Sequence, residues 1–148
     1  MLKQKLHQSC LDLLEEKIGN LQKAVQDAQM AASEDTKSSA GDKFETSREM
    51  IKLEINKYNQ QLSQNTKMLH HLQKLNPAID RDRVEMGSLV LTNEGAYYFS
   101  VGMGKLILGE TPYFALSMAS PIGRALAGHQ KGEHISFKGR SIHIQEIL

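Results

Sequence analysis

Hydrophobic positions in the first half of the chain recur at alternating spacings of three and four residues, in two separate runs. The first run consists of Leu11, Leu14, Ile18, Leu21, Val25, Ala28 and Ala32. The second consists of Phe44, Arg48, Ile51, Ile55, Tyr58, Leu62, Asn65, Leu69 and Leu72. Such spacing is typical of the seam between two helices of a coiled coil.

The segment between the two runs predicts a turn. It reads Ser33-Glu34-Asp35-Thr36-Lys37-Ser38-Ser39-Ala40-Gly41-Asp42, and Ser, Asp and Gly favour turns over helix interiors. Because a connection this short usually joins antiparallel helices, we predict a coiled-coil hairpin over residues 1–78 with an acidic tip near 33–45. Asn65 is a polar position in the seam, which can fix the register of the pair.

The second half has a different pattern, with short β-branched and aromatic runs between glycines. It holds nine of the eleven Gly and two of the three Pro. We predict a β-rich domain over residues 84–148, after a boundary at Pro77–Arg83. The predicted strands are Ser88–Leu91, Ala96–Val101, Lys105–Leu108, Pro112–Met118, His134–Phe137 and Ser141–Ile147. A short helix is predicted over Ile122–Ala127, with Pro121 in its first turn and Gly128 as its C-cap.

Composition agrees with an α+β protein that combines a coiled coil with a small domain. Aromatic residues make up only 5% of the 148 residues and Trp is absent, which argues against one large core. The net charge is +1, so no bulk field favours nucleic acid or a membrane. A single cysteine, Cys10, excludes an intramolecular disulfide and fits a reducing compartment. With no apolar run of the roughly 20 residues that a membrane span needs, we expect a cytoplasmic protein.

Asp42 and Glu45 are the candidate functional residues, three apart at the predicted tip. One interpretation is helix capping, with Asp42 as N-cap and Glu45 at N3, close to a capping box. The other is a carboxylate pair donated to the site of a partner, where it could help to hold an ion or position a water. The six histidines form no metal-ligand pattern, so we expect no metal site in the isolated protein.

Two motifs resemble those of the bacterial Gre transcript-cleavage factors. The first is Ser120-Pro121-Ile122-Gly123-Arg124-Ala125-Leu126-Ala127-Gly128, followed by Lys131-Gly132-Glu133. The second is Gly41-Asp42-x-x-Glu45. Their order and spacing extend the resemblance over nearly the whole chain.

The resemblance implies a coiled-coil hairpin followed by an FKBP-like domain, in a monomeric factor that binds bacterial RNA polymerase. The coil would enter the secondary channel, where Asp42 and Glu45 would share the Mg²⁺ of the polymerase and stimulate cleavage of backtracked RNA. Contact with the nascent RNA would be indirect. Arg124 and Lys131 would be docking residues, and the protein would be neither an enzyme on its own nor the holder of its own cofactor.

Two other functions remain open from the sequence. The residues after Glu45 are Thr46-Ser47-Arg48-Glu49, where the family usually has Asn-Ala-Glu-Tyr. This difference is compatible with a secondary-channel regulator that does not stimulate cleavage. The third alternative is a coiled-coil adaptor unrelated to polymerase.

Overall fold

The computed structural model describes residues 2–35 and 41–148, with side chains for 2–34 and 46–148. The α+β class predicted from the sequence is confirmed, since two long helices precede a six-stranded sheet with one short helix. The chain divides into two compact units, Met1–Leu11 with His71–Leu148, and Asp12–His70. This division lies within the helices, because their first and last turns pack into the same unit as the sheet.

The two helices are α1 (Leu2–Asp35) and α2 (Gly41–Lys74). Every position of the first predicted seam is buried or partly buried, and the second seam is likewise covered from Ile51 to Leu72. Arg48 is the exception, because its side chain is exposed and the partly buried residue one turn before Ile51 is Ser47. The prediction of Arg48 in the seam is therefore wrong, since a charged head group remains in water where a small residue can take its place.

Most of α1 and α2 belongs to the compact unit Asp12–His70. A groove of about 360 Å³ is lined by Lys17, Asn20 and Leu21 from α1 and by Gln61 and Asn65 from α2. The amide Nδ2 of Asn65 donates to the carbonyl of Gln61 at 2.7 Å, one turn earlier on the same helix. The polar seam position is thus satisfied by its own backbone and does not leave an unpaired amide in the seam.

The sheet has the order β3-β4-β2-β1-β6-β5. The strands are β1 (Leu89–Thr92), β2 (Ala96–Phe99), β3 (Gly104–Leu108), β4 (Thr111–Leu116), β5 (His134–Phe137) and β6 (Arg140–Ile147). Neighbours pair antiparallel, except that β2 and β4 are parallel. Each lies where the sequence predicted a strand. The helix α3 (Pro121–Leu126) also matches its prediction.

Two tight turns fix the register of the hairpins. Between β1 and β2, the hydroxyl of Thr92 accepts from the backbone N–H of Gly95 at 3.1 Å and donates to its carbonyl at 2.8 Å. Between β5 and β6, Lys138 and Gly139 have φ of 49° and 77°. Two successive positive φ values match the twist of an antiparallel hairpin.

The core of the unit that contains the sheet lies between the strands and α3. Its buried cluster consists of Val84, Val90, Phe99, Leu126, Ile142, Ile144 and Ile147. The ends of the long helices add further buried side chains to this unit, with Leu6, Cys10 and Leu72 all at 0% exposure. The unit that contains the sheet thereby gains buried apolar area from the ends of the helices that precede it in sequence.

Candidate functional site

The tip motif occupies the first turn of α2. The helix begins at Gly41, so Asp42 lies inside the first turn and not at the N-cap position that the capping interpretation required. Asp42 and Glu45 are three residues apart in helical backbone, which places both positions on the same side of the helix. Their side chains lie outside the described residues, and the roles predicted for them stay predictions.

The surface that follows the tip motif is polar and open. Thr46, Arg48, Glu49 and Lys52 line a groove of about 440 Å³ on α2. All four side chains are exposed, and two of them are cations. Arg48 also lies three residues after Glu45, a spacing at which a cation and an acid on one helix can interact.

The C-terminal motif begins with a capped helix. Ser120 is the N-cap of α3, and its hydroxyl accepts from the backbone N–H of Gly123 at 3.1 Å. The same hydroxyl donates to the carbonyl of Ser117 at 2.6 Å. Pro121 occupies the first turn, where a missing N–H costs nothing. The Ser-Pro pair therefore fixes where this short helix starts.

Gly123 and Gly128 of this motif are glycines for two different structural reasons. A Cβ at Gly123 would lie 2.6 Å from the carbonyl oxygen of Ser117 and 2.7 Å from that of Met118. The C-cap of α3 is Ala127, one residue before the predicted Gly128, and Gly128 follows it with φ 78° and donates its N–H to the carbonyl of Val84 at 2.8 Å. The hydrogen bond between Gly128 and Val84 thus joins the end of α3 to the segment that precedes β1.

The two predicted docking residues differ in their electrostatic surroundings. Lys131 Nζ lies 2.9 Å from Glu146 Oε2, and this ammonium holds the pKa of the Glu146 carboxyl below its usual range. Arg124 is exposed on α3, and no described carboxylate forms an ion pair with its guanidinium. Arg124 is therefore the better placed of the two to pair with an acidic group of a partner, since Lys131 would first have to give up Glu146.

A buried polar cluster at the start of α1 was not predicted. His7 Nδ1 lies 2.7 Å from the hydroxyl of Tyr98 on β2. Lys3 is only 3% exposed and donates to the carbonyl of Ile79 at 2.6 Å. Burial lowers the pKa of Lys3, with a smaller contribution from Arg81 in the same direction. One feature of the sequence could have indicated that His7 is buried. His7 lies four residues before Leu11 and so fits the spacing of the first heptad run.

Among the side chains that the structure describes, no three from His, Cys, Asp or Glu form a group that could hold a metal ion. Of the helices in the described ranges, none is both long enough and apolar enough to cross a bilayer.

Comparison with known proteins gives a distant structural likeness. No family model and no curated protein matches the chain. One similar solved structure is that of the transcription factor Gfh1, with a TM-score of 0.40 and 18% sequence identity over 93% of this chain and 92% of that chain. A likeness at this level assigns no function, so the proposal below rests on the residues of the chain itself.

Proposed function

We propose that the protein is a transcription elongation factor that binds bacterial RNA polymerase through its secondary channel and stimulates cleavage of backtracked RNA. The observation that carries the proposal is the position of Gly41-Asp42-x-x-Glu45 in the first turn of α2, the second of two long helices. The capped Ser120–Gly128 helix supports it, because this is the second motif shared with the Gre factors.

In this proposal the protein contributes two carboxylates and the polymerase contributes the active site. Asp42 and Glu45 would approach the catalytic Mg²⁺ of the polymerase, and help to hold a second ion or orient the attacking water. Mg²⁺ keeps several waters and phosphate ligands, so two added carboxylates complete a site more readily than they create one. The protein needs no cofactor of its own and acts as a cytoplasmic monomer that touches nascent RNA only indirectly.

A cleavage assay tests this function. Stalled, backtracked complexes of the polymerase from the source organism are incubated with the protein, and release of short 3′ RNA fragments is followed. We expect wild-type protein to accelerate release and the double variant Asp42→Asn, Glu45→Gln to lose this effect. Asp27→Asn is the matched control, because Asp27 is an exposed acid on α1 outside the motif. A double variant as active as wild type would sink the catalytic role.

The second candidate is a secondary-channel regulator that does not stimulate cleavage. It is favoured by Arg48 and the exposed groove around it, where this chain differs from the Gre pattern. A cation three residues after Glu45 would reduce the negative charge that the tip delivers. This candidate requires polymerase binding and altered initiation or pausing, with no increase in RNA fragments.

The third candidate, an adaptor unrelated to polymerase, is separated by a binding experiment. Purified polymerase is passed over immobilised protein, with the Arg124→Ala variant immobilised in parallel. Retention of polymerase by the wild-type protein supports the first two candidates. Failure to retain it under low-salt conditions contradicts both and leaves the adaptor.

A further inference from the structure

Two histidine side chains stack on the solvent face of the β5–β6 hairpin. His134 and His143 are directly opposed across the two strands. Their ring centroids are 4.3 Å apart and the rings are 7° from parallel. The residues on either side of His143, Ile142 and Ile144, are buried at 2% and 0% exposure, so the histidines belong to the opposite face.

The backbone around His143 brings the two rings as close as a sheet allows. Its N–H donates to Asn93 Oδ1 at 2.7 Å, and its carbonyl accepts from the Asn93 N–H at 3.3 Å. Both polar groups of His143 therefore bond towards Asn93 and away from β5. The pair with His134 is thus of the non-hydrogen-bonded kind, in which opposed side chains approach most closely.

We propose that His134 and His143 form a two-histidine site for a divalent transition metal ion such as Zn²⁺. A neutral imidazole has one nitrogen lone pair available, and imidazole is a ligand that Zn²⁺, Cu²⁺ and Ni²⁺ accept well. Two such rings opposed across a paired hairpin can supply two ligands to one ion. The site is independent of the polymerase proposal, because it uses neither the tip motif nor Arg124 and Lys131.

The two opposed rings are within reach of one ion, but they must reorient to bind it. Two nitrogens at about 2.0–2.1 Å from one tetrahedral ion lie about 3.4 Å from each other. Because the lone pairs lie in the ring planes, rings that are 7° from parallel do not direct them at one point, so both imidazoles rotate about their Cβ–Cγ bonds when one ion binds. Because β5 is the edge strand of the sheet, the remaining coordination positions face solvent and are open to water.

Calorimetric titration of the untagged full chain with Zn²⁺ tests the proposal. We expect one ion per chain for the wild type, and affinity reduced by about tenfold or more in His134→Ala and in His143→Ala, since each leaves a single imidazole. NMR signals of these two rings should shift on addition of Zn²⁺. Mg²⁺, which prefers oxygen ligands, should produce neither heat nor shifts.

The matched control is His70→Ala, which removes one of the two adjacent histidines on α2 and should bind Zn²⁺ as the wild type does. His134→Gln and His143→Gln keep polar side chains on the hairpin and provide a second pair of variants if the alanine proteins unfold. The proposal is overturned if wild-type protein binds no Zn²⁺, or if binding is unchanged in the folded variants at 134 and 143. If the two rings stack but bind no ion, the wild-type protein will show no Zn²⁺ binding.

Discussion

His7 Nδ1 and the hydroxyl of Tyr98 lie 2.7 Å apart, although 91 positions separate them in sequence. The two side chains are 6% and 0% exposed, so no bulk water replaces either partner when the other is removed. This one bond ties the first turns of α1 to β2.

Tyr98→Phe should therefore lower the free energy of unfolding by about 1–3 kcal/mol, because His7 keeps a buried nitrogen without its partner. Tyr113→Phe is the control, since the hydroxyl of this 7% exposed tyrosine has no described protein partner. Urea denaturation measures both variants. Equal stability of Tyr98→Phe and wild type would show that the bond contributes nothing.

Burial of His7 also predicts a pH dependence of stability. Burial lowers the pKa of His7 below its ordinary value of 6.5, so the unfolded chain binds the proton more readily than the folded protein does. The stability that neutral His7 contributes is fully present above pH 6.5. It is lost as the pH falls towards the lower pKa that His7 has in the folded protein. His7→Phe should flatten the decline in unfolding free energy measured between about pH 7 and about pH 5. An unchanged slope in this variant would assign the decline to other groups.

Gly19 and Gly123, each within a helix, should respond in opposite ways to alanine. Gly123→Ala places a Cβ within 2.6–2.7 Å of two carbonyl oxygens and should destabilise the protein by about 1–3 kcal/mol. Gly19, within α1, has no atom within 4 Å of an added Cβ, so Gly19→Ala should stabilise by about 0.5–1 kcal/mol. Thermal unfolding of the two variants decides the point. If both lose stability, the close approach at Gly123 is not the cause.

Cys10 should be unreactive in the folded protein. It is fully buried, and burial raises the pKa of its thiol from 9.0 to about 11. That difference leaves about a hundredfold less thiolate near neutral pH, and the thiolate is the species that reacts. Alkylation by iodoacetamide should be slower by at least this factor in buffer than in concentrated urea. Comparable rates would mean that the start of α1 opens readily.

Arg124 and Lys131 should contribute unequally to partner binding if the polymerase proposal holds. Arg124→Ala should weaken binding more than Lys131→Ala, because Lys131 already pairs with Glu146 at 2.9 Å. Glu146→Gln should strengthen binding if Lys131 takes part, since it releases the ammonium for a partner. Affinities measured at two salt concentrations give the comparison. A larger loss for Lys131→Ala would reverse the assignment.

Local signals in the sequence were sufficient for most of the fold. Pro121 in the first turn of α3 and Gly128 just after that helix each meet a backbone requirement that only a few residue types satisfy. The predicted position of Pro121 is confirmed because no long-range contact has to override it. The heptad runs succeeded for the same reason, since the spacing of apolar residues alone determines which side of a helix is covered.

Contacts between distant segments could not be read from the sequence. The bond from His7 to Tyr98 and the parallel pairing of β2 with β4 depend on how whole elements meet, and neither leaves a local pattern. Arg48 shows the converse error, because the spacing rule placed it in the seam without regard to its charge. The roles of Asp42 and Glu45 stay predictions, since they depend on a partner and on side chains outside the described residues.

The pairing of β6 with β1 has a consequence for folding during synthesis. β1 bonds to β6 along its length, with Val90 opposite Ile147 and mutual backbone bonds between Leu89 and Leu148. The position between β1 and β5 in the sheet therefore stays empty until β6 has left the ribosome. Lys3 and His7 likewise wait for Ile79 and Tyr98, the hydrogen-bond partners that follow them much later in the chain. The coiled-coil hairpin, built only from neighbouring helices, can form well before the sheet that its own first turns help to fill.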